Sequence, residues 1–337
     1  MSRNEELAGA DLDYCYDAVG DVSRTFALTV AELEEPMARD ICVGYLLCRV
    51  ADTVEDASHV PPDAQYDLLT RYSRALDPTT ETTVRDFREA VDEWVPADPD
   101  ADWEVVRSVT RVHSAFESLD ETSRSAIRPQ VRELVDGMAM FVDRYADEGG
   151  LRLRTVDELE EYCWYAAGTV GTLVTSLLVR DVEESVAERL RSNARAFAML
   201  LQLVNVTKDV VPDYEEENNV YLPLELLSAQ NLVPADIADP ANGPAFVPVV
   251  ETLVSRAEGY LDGAQAWLDA MPETRGNTLS AWAVPYLLAV ATLRELDSRP
   301  EDVVREGDVK VSRSEVHALL KRFSGDADPC VADLRTT

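Results

Sequence analysis

Three carboxylates at helical spacing inside an apolar run are the first residues of this chain able to do chemistry. They are Asp52, Glu55 and Asp56, in Tyr45-Leu-Leu-Cys-Arg-Val-Ala-Asp-Thr-Val-Glu-Asp56. At 3.6 residues per turn, Tyr45, Arg49, Asp52 and Asp56 share one stripe, with Glu55 beside it. Ile41, Val43, Leu46, Leu47, Val50 and Val54 fill much of the remaining circumference, which predicts a helix buried except where the charges lie. Buried carboxylates must be paired or bound to a cation. A second set repeats the pattern: Gln202, Asn205 and Asp209 stand at i, i+3 and i+7 on another apolar helix, with Asp213 one turn further on, past Pro212. Amide and carboxylate oxygens suit Mg²⁺, which is usually held by one or two carboxylates together with substrate phosphates.

Two helices that present such oxygens into an apolar cavity would hold Mg²⁺ around a diphosphate. The metal would neutralise the leaving group, and the apolar walls would shelter a carbocation from water. Isoprenyl diphosphate chemistry meets both demands. A di-iron carboxylate bundle would need Glu-x-x-His pairs, and His59, His113 and His317 are not placed to form them. A non-catalytic acidic helical scaffold is the alternative from another class. It leaves Gln202 and Asn205, in phase with Asp209, without a purpose.

Composition sets the background for these residues. Acids outnumber bases 64 to 31, giving a net charge of −33 at pH 7 over 337 residues. Lys208, Lys310 and Lys321 are the only lysines. With 46% hydrophobic residues and long periodic segments the chain is not a disordered polyanion. The acidic excess resembles the hydrated surface of halophilic proteins, where concentrated salt screens self-repulsion. Most single acids therefore carry no message, and nucleic acid is excluded as a partner by repulsion. Cys15, Cys42, Cys48, Cys163 and Cys330 form no Cys-x-x-Cys pair and read as reduced core thiols. The N-terminus has no apolar h-region, and the longest apolar run, Leu279 to Leu293, is shorter than a bilayer span and contains Pro285.

The elements that must position the candidate residues read as helix after helix, with no alternating strand pattern and no repeat. Expected helices cover 11–32, 36–58, 63–76, 81–95, 102–119, 122–145, 157–179, 183–211, 249–270, 277–297 and 314–323. Ser23-Arg24-Thr25-Phe26 lies inside the first of these, and taken alone its hydroxyls read as satisfying backbone groups. Tyr162, Tyr165, Thr169, Thr172 and Ser176 would share an inward stripe, beside glycines that each weaken a helix by about 1 kcal/mol and so imply close packing by a helix or a ligand. Pro212 should kink or end its helix. Glu215 to Asn219 reads as a solvated loop.

The segments around Ser23–Phe26, Tyr45–Asp56, Gly137–Phe141, Tyr162–Gly171 and Gln202–Asp213, with Asp308-Val-Lys-Val311, resemble the squalene and phytoene synthase family, in order, over residues 23 to about 320. Asp52-Thr-Val-Glu-Asp56 and Tyr162-Cys-Trp-Tyr165-Ala-Ala-Gly168 are more similar to squalene synthases than to phytoene or dehydrosqualene synthases. The resemblance implies an all-α isoprenoid synthase fold. It would be one domain over residues 1–337, with a core of about 11–325 around a central apolar cavity and flexible termini. Mg²⁺ would be bound by Asp52, Glu55, Asp56, Asn205, Asp209 and Asp213. Ser23, Arg24, Thr25, Tyr45, Arg49, Gln202 and Lys208 would contact prenyl diphosphate substrate. Tyr165, assisted by Tyr45 and Arg49, would serve catalysis by helping remove a proton as two farnesyl diphosphates join into presqualene diphosphate.

Hydride from NADPH would then give squalene, the cofactor's phosphates meeting Arg24, Arg49, Lys310 and Arg313. Phytoene or dehydrosqualene synthesis, without the reduction, is the alternative within the family. Lys208 stands where Arg is usual and lacks its bidentate fork. Pro212 is also unusual there, and the basic spacing around Arg313 is shifted by one residue. No C-terminal membrane anchor is expected, so the location would be cytoplasmic, with membrane contact peripheral at most.

Overall fold

The structure, a computed structural model, describes residues 3–307, 309–312 and 315–316, with the side chains of residues 3–8, 24 and 25 left out. The expected last helix apart from residues 315–316, Cys330, Asp308, Arg313 and the side chains of Arg24 and Thr25 therefore lie outside the described residues. What is described is helical, as expected from the 3.6-residue periodicity. The one exception to helix and turn is an isolated bridge between Arg152 and Val220. Among the described residues no helix is long and apolar enough to cross a membrane.

Contacts divide the chain into two compact units, each made of separate stretches of sequence. The first takes residues up to Ala146 plus Thr169–Ala187 and Pro272–Ala281. It holds α1 (Arg3–Val22), α2 (Arg24–Ala31), α3 (Met37–Glu55), α4 (Pro62–Leu76), α5 (Val84–Val91), α6 (Ala101–Arg107), α7 (Val109–Glu117), α8 (Glu121–Arg144) and α10 (Thr169–Leu178). Short polar residues start these helices: Thr83 and Asp86 form a capping box on α5, and Asp100 and Asp120 cap α6 and α8. Pro62 opens α4, where its missing N–H is not needed.

The segment expected as one helix over 11–32 is two. Ser23 adopts extended backbone and its Oγ accepts from the Phe26 N–H at 3.2 Å, so the hydroxyl caps α2. Ser108 similarly separates α6 from α7 within 102–119.

The centre of this unit is α3, packed on α1, α7 and α8. Ile41, Val43, Leu46, Leu47, Val50 and Val54 are all at most 1% exposed, each contributing roughly 2 kcal/mol of hydrophobic stabilisation. Polar contacts fix both ends of the helix. At its start Asp40, 2% exposed, accepts from the Ser123 hydroxyl at 2.5 Å and from Arg39, with Arg180 3.6 Å away. At its end the buried Gln65 amide donates to the carbonyls of Val54, Glu55 and Ala57 at 3.0, 2.7 and 3.2 Å. The first two are carbonyls of the kind that a helix C-terminus leaves without partners.

The chain entering α3 is held by the 272–281 stretch: Glu34 N–H donates to the Gly276 carbonyl at 2.7 Å and Thr278 Oγ1 to the Glu32 carbonyl at 2.9 Å. Gly276 has φ +83°, and a Cβ there would lie 2.2 Å from the Glu34 carbonyl oxygen. Gly276→Ala is expected to destabilise the fold by roughly 3 kcal/mol, read as a lowered denaturant midpoint with unchanged m-value.

The second unit takes Asp147–Gly168, Glu188–Met271 and the chain from Trp282 on. Its helices are α9 (Val156–Cys163), α11 (Glu184–Lys208, entering from the first unit), α12 (Val210–Glu216), α13 (Leu224–Ala229), α14 (Gly243–Glu258), α15 (Leu261–Leu268), α16 (Leu279–Ser298, likewise shared) and α17 (Asp302–Arg305). The helix expected over 249–270 starts earlier and breaks at Gly259–Tyr260. Phe197, Trp267 and Trp282 form an aromatic cluster with centroids 4.3 and 5.8 Å apart. Gly263 lets α15 lie close on α11, where a Cβ would meet that of Ala196 at 2.6 Å.

Residues 215–219 are not the solvated loop expected. Asn218, at φ +57°, bonds the Gly149 carbonyl at 2.7 Å and is gripped by Arg152, while Asn219 is 4% exposed and accepts from Leu151 N–H. A Cβ on Gly150 would fall 2.1 Å from the Asn218 carbonyl, which explains the glycine. Cys15, Cys42, Cys48 and Cys163 are free and buried, as expected of core thiols.

Candidate active site

Between residues 41 and 57, α3 and its C-cap expose only Tyr45, Arg49, Asp52 and Asp56, the four residues of the expected stripe. Glu55 lies inside, 6% exposed. Tyr45 stacks on Phe26 with centroids 3.9 Å apart, and its hydroxyl bonds Ser23, so the cap of α2 and the stripe of α3 meet. Burial pushes the Tyr45 phenol above its ordinary pKa.

Arg49 is shared three ways: Nε lies 2.9 Å from Asp102 Oδ1, Nη1 3.9 Å from Asp52 Oδ2, and Nη2 donates to the Val22 carbonyl at 3.4 Å. Asp52 is pushed up to about 6, by desolvation first and by Asp102 in addition, against the pull of Arg49. One guanidinium divided between two carboxylates does not fully stabilise the charge on Asp52, which leaves it in need of a further cation.

Asp102 and Gln65 escaped the sequence reading. Asp102 is an acid in the first turn of α6, the commonest place for a helix acid to serve its own helix dipole. No pattern in the sequence separates it from its neighbours.

In the second unit α11 ends at Lys208 and α12 begins at Val210, so Asp209 is the joint. The break falls three residues before Pro212. The Pro212 ring would clash with the Lys208 carbonyl four residues back, so the helix yields there and Pro212 sits harmlessly in the first turn of α12. The backbone path nonetheless continues, with Asp209 N–H bonded to the Asn205 carbonyl at 3.0 Å and Asp213 N–H to the Asp209 carbonyl at 2.9 Å. Gln202, Asn205, Lys208, Asp209 and Asp213 are all at least partly exposed, while Leu203, Val204, Val206, Thr207 and Val210 are buried.

Lys208 pairs with Asp209. Asp213 is pushed up to about 8 by burial first, then by Glu217 and Asp209, with Lys208 opposing. A raised folded-state value means that stability is lost as pH climbs from the ordinary carboxylate range of about 4 toward 8, because the unfolded chain ionises first. Asp213→Asn is therefore expected to match the parent near pH 4 and to exceed it increasingly up to pH 8, in denaturant titrations with a chelator present. A difference that does not grow with pH counts against this crowding.

Tyr165 lies on a π-turn, Trp164–Gly168, inserted between α9 and α10. The extra residue breaks the stripe expected from Tyr162 to Ser176. Tyr162 and Thr169 are buried, with Tyr162 bonded to the Tyr221 hydroxyl at 3.2 Å, while Tyr165, Thr172 and Ser176 are partly exposed. The close packing implied by Gly168 comes from this segment's own Trp164. Lys310 is exposed, and its carbonyl accepts from Arg299 at 3.1 Å.

The profile of the squalene/phytoene synthase family matches residues 19–315, which contain every candidate site residue named above. The chain belongs to that family. Among relatives of this squalene/phytoene synthase family member, the Botryococcus squalene synthase of Botryococcus braunii is 29% identical over 316 residues. That match covers 92% of this chain and 62% of the relative, so the chain spans less than two thirds of that protein's length. Among solved structures, that of TcSQS with the ligand BPH1237 is 23% identical at a TM-score of 0.79, covering 97% of this chain and 89% of that one. A dehydrosqualene synthase with ligand is 21% identical at a TM-score of 0.64, covering 95% and 98%. These likenesses establish the all-α isoprenoid synthase fold for this family member.

Proposed function

We propose that the chain is a squalene synthase acting as one domain over residues 1–337: a Mg²⁺-dependent prenyltransferase that joins two farnesyl diphosphates head to head and reduces the product with NADPH. The observation that carries this reading is the pair of polar stripes, Tyr45, Arg49, Asp52 and Asp56 on α3 and Gln202, Asn205, Asp209 and Asp213 on α11 and α12. The first is the exposed line of a helix otherwise buried between residues 41 and 57; the second runs from the C-terminal end of α11, among the buried Leu203, Val204, Val206 and Thr207, into the partly exposed α12.

The donor set fits Mg²⁺. It is all oxygen, and its carboxylates burden one another in a way that a divalent cation would relieve, Asp213 being pushed up by burial first and then by Glu217 and Asp209. Among the described residues no three of His, Cys, Asp or Glu gather closely enough to bind metal by themselves. Mg²⁺ that takes its remaining ligands from diphosphate and water needs no such group.

In this reading Asp52 and Asp56, and separately Asn205, Asp209 and Asp213, would hold Mg²⁺, which supplies charge neutralisation to the departing diphosphate. Glu55, buried at the end of α3, would take part from within. Arg49, Gln202 and Lys208 would add donors to the anion, with Ser23, Arg24 and Thr25 at the start of α2. Ser23 also orients Tyr45 by hydrogen bond. Tyr165 would accept the proton lost as the cyclopropyl carbon framework closes. NADPH would be the hydride source for the second half, with Arg24, Arg49, Lys310 and Arg313 as the cations for its phosphates. A cytoplasmic location completes the proposal.

The test is incubation with farnesyl or geranylgeranyl diphosphate, Mg²⁺ and NADPH in concentrated salt, with identification of the hydrocarbon. Squalene with matching NADPH consumption is expected. Dehydrosqualene with NADPH untouched, or phytoene from the longer substrate, would replace the assignment within the family. No release of diphosphate would leave only the scaffold.

A further inference from the structure

We infer that Trp164 and Gly168 form a lock that holds the π-turn and so sets the direction of Tyr165. The inference rests on the reading of Tyr165 as the catalytic tyrosine. A π-turn adds one residue to a helix at the cost of poorer backbone geometry, so it persists only where surrounding contacts hold it, and such turns occur frequently at functional sites. Here the closest contact on the turn's last residue comes from the turn's own first side chain. The six-membered ring of the Trp164 indole lies directly over Gly168, where a Cβ would come within 2.3 Å of Cε3 and 2.9 Å of Cδ2 and Cζ3. Even an alanine would force ring and backbone apart.

The indole also meets Arg195 of α11, whose guanidinium stands 5.1 Å from its centroid in a cation–π contact. Arg195 is itself fixed: Tyr260 bonds both Arg195 and Glu160, and Glu160 pairs with Arg256 at 3.2 Å. The indole thus lies over a glycine that admits it and also meets a cation tied to Tyr260. All of these residues belong to one compact unit.

Tyr165 directly follows Trp164, and Tyr162, two residues before the turn, is anchored to Tyr221. One end of the turn is therefore tied by hydrogen bond and the other by packing, and the direction of Tyr165 between them depends on the inserted residue. Trp164 is on this account a positioning residue. Without the insertion every side chain beyond it would rotate by about 100° around the helix.

The experiment compares the full-length parent with Gly168→Ala, Trp164→Ala, the double variant and the conservative Trp164→Phe, all labelled with fluorotyrosine, the Tyr165 resonance being assigned by its loss in Tyr165→Phe. The ¹⁹F shift of Tyr165 is expected to move in Gly168→Ala and in Trp164→Ala. Relative to Gly168→Ala it should return part of the way in the double variant, where the added methyl no longer meets a ring, and Trp164→Phe should stay near the parent. If Gly168→Ala fails to fold, Trp164→Ala carries the same comparison.

The second readout is product partition with farnesyl diphosphate and Mg²⁺. Release of diphosphate and KM should stay within about twofold in Gly168→Ala, while coupled C30 product falls roughly 100-fold in favour of farnesol, because a misplaced tyrosine leaves the cation to water. A Tyr165 resonance unmoved by both single variants overturns the lock, whatever the reaction proves to be. Resonances that move as expected in the variants, with a parent that never releases diphosphate, support the lock and overturn the catalytic reading. Additive losses in the double variant would also overturn it, since a shared contact must be non-additive.

Discussion

Asp209→Asn and Asp52→Asn are each expected to cut turnover of farnesyl diphosphate about 10³-fold at ordinary Mg²⁺, with partial recovery as Mg²⁺ is raised. The loss is set by charge developing on the departing diphosphate, and a single preorganised partner to such charge is typically worth 10²- to 10³-fold. Asp209 merits the larger figure. It is the joint between α11 and α12, held by its N–H to Asn205 and its carbonyl to Asp213, so its carboxylate leaves the backbone at a fixed point. Its asparagine variant keeps the joint and removes only the charge, and Lys208 loses its partner at the same time.

For Asp52 the substitution also removes the acid that shares Arg49 with Asp102. Recovery by Mg²⁺ should therefore be less complete than for Asp209. Initial rates of diphosphate release over a range of Mg²⁺ distinguish these outcomes. Near-full turnover in either variant at low Mg²⁺ would remove that residue from the metal site.

Tyr165→Phe should abolish coupled product while sparing ionisation. Proton transfer by a placed side chain contributes roughly 10²- to 10⁴-fold, and the phenol is the only group on the turn able to supply it. Because the ring is kept, packing beside Trp164 is undisturbed and the melting temperature should hold. Farnesol and diphosphate should accumulate in place of presqualene diphosphate. Unchanged formation of presqualene diphosphate would eliminate Tyr165 from the chemistry, and the π-turn would then need another purpose.

Periodicity along the chain was enough to foresee an all-α protein and the two stripes. Tyr45, Arg49, Asp52 and Asp56 emerge from a buried helix because apolar residues three and four apart leave only one line for polar ones, a property of the helix alone. The same holds for Gln202, Asn205 and Asp209. Composition would have concealed both, since in a chain of net charge −33 an acid on the surface is unremarkable. Their apolar neighbours distinguished them.

What the sequence by itself determined, then, was local: helix faces, the buried cysteines, the proline that had to disrupt α11, and the resemblance that named the family. Tertiary structure decided whatever depends on segments that meet only on folding. Asp102 reaches Arg49 from α6, Gln65 reaches back from α4 to close α3, and Asn218 settles on Gly150. It also decided register. A π-turn has no signature in a pattern of apolar and polar residues, because that pattern does not show that the Trp164 indole lies over Gly168 or that Arg195 reaches it from α11. The Tyr162 stripe, read at a constant 3.6 residues per turn, was therefore wrong at the inserted residue, beside the tyrosine on which the proposed chemistry depends.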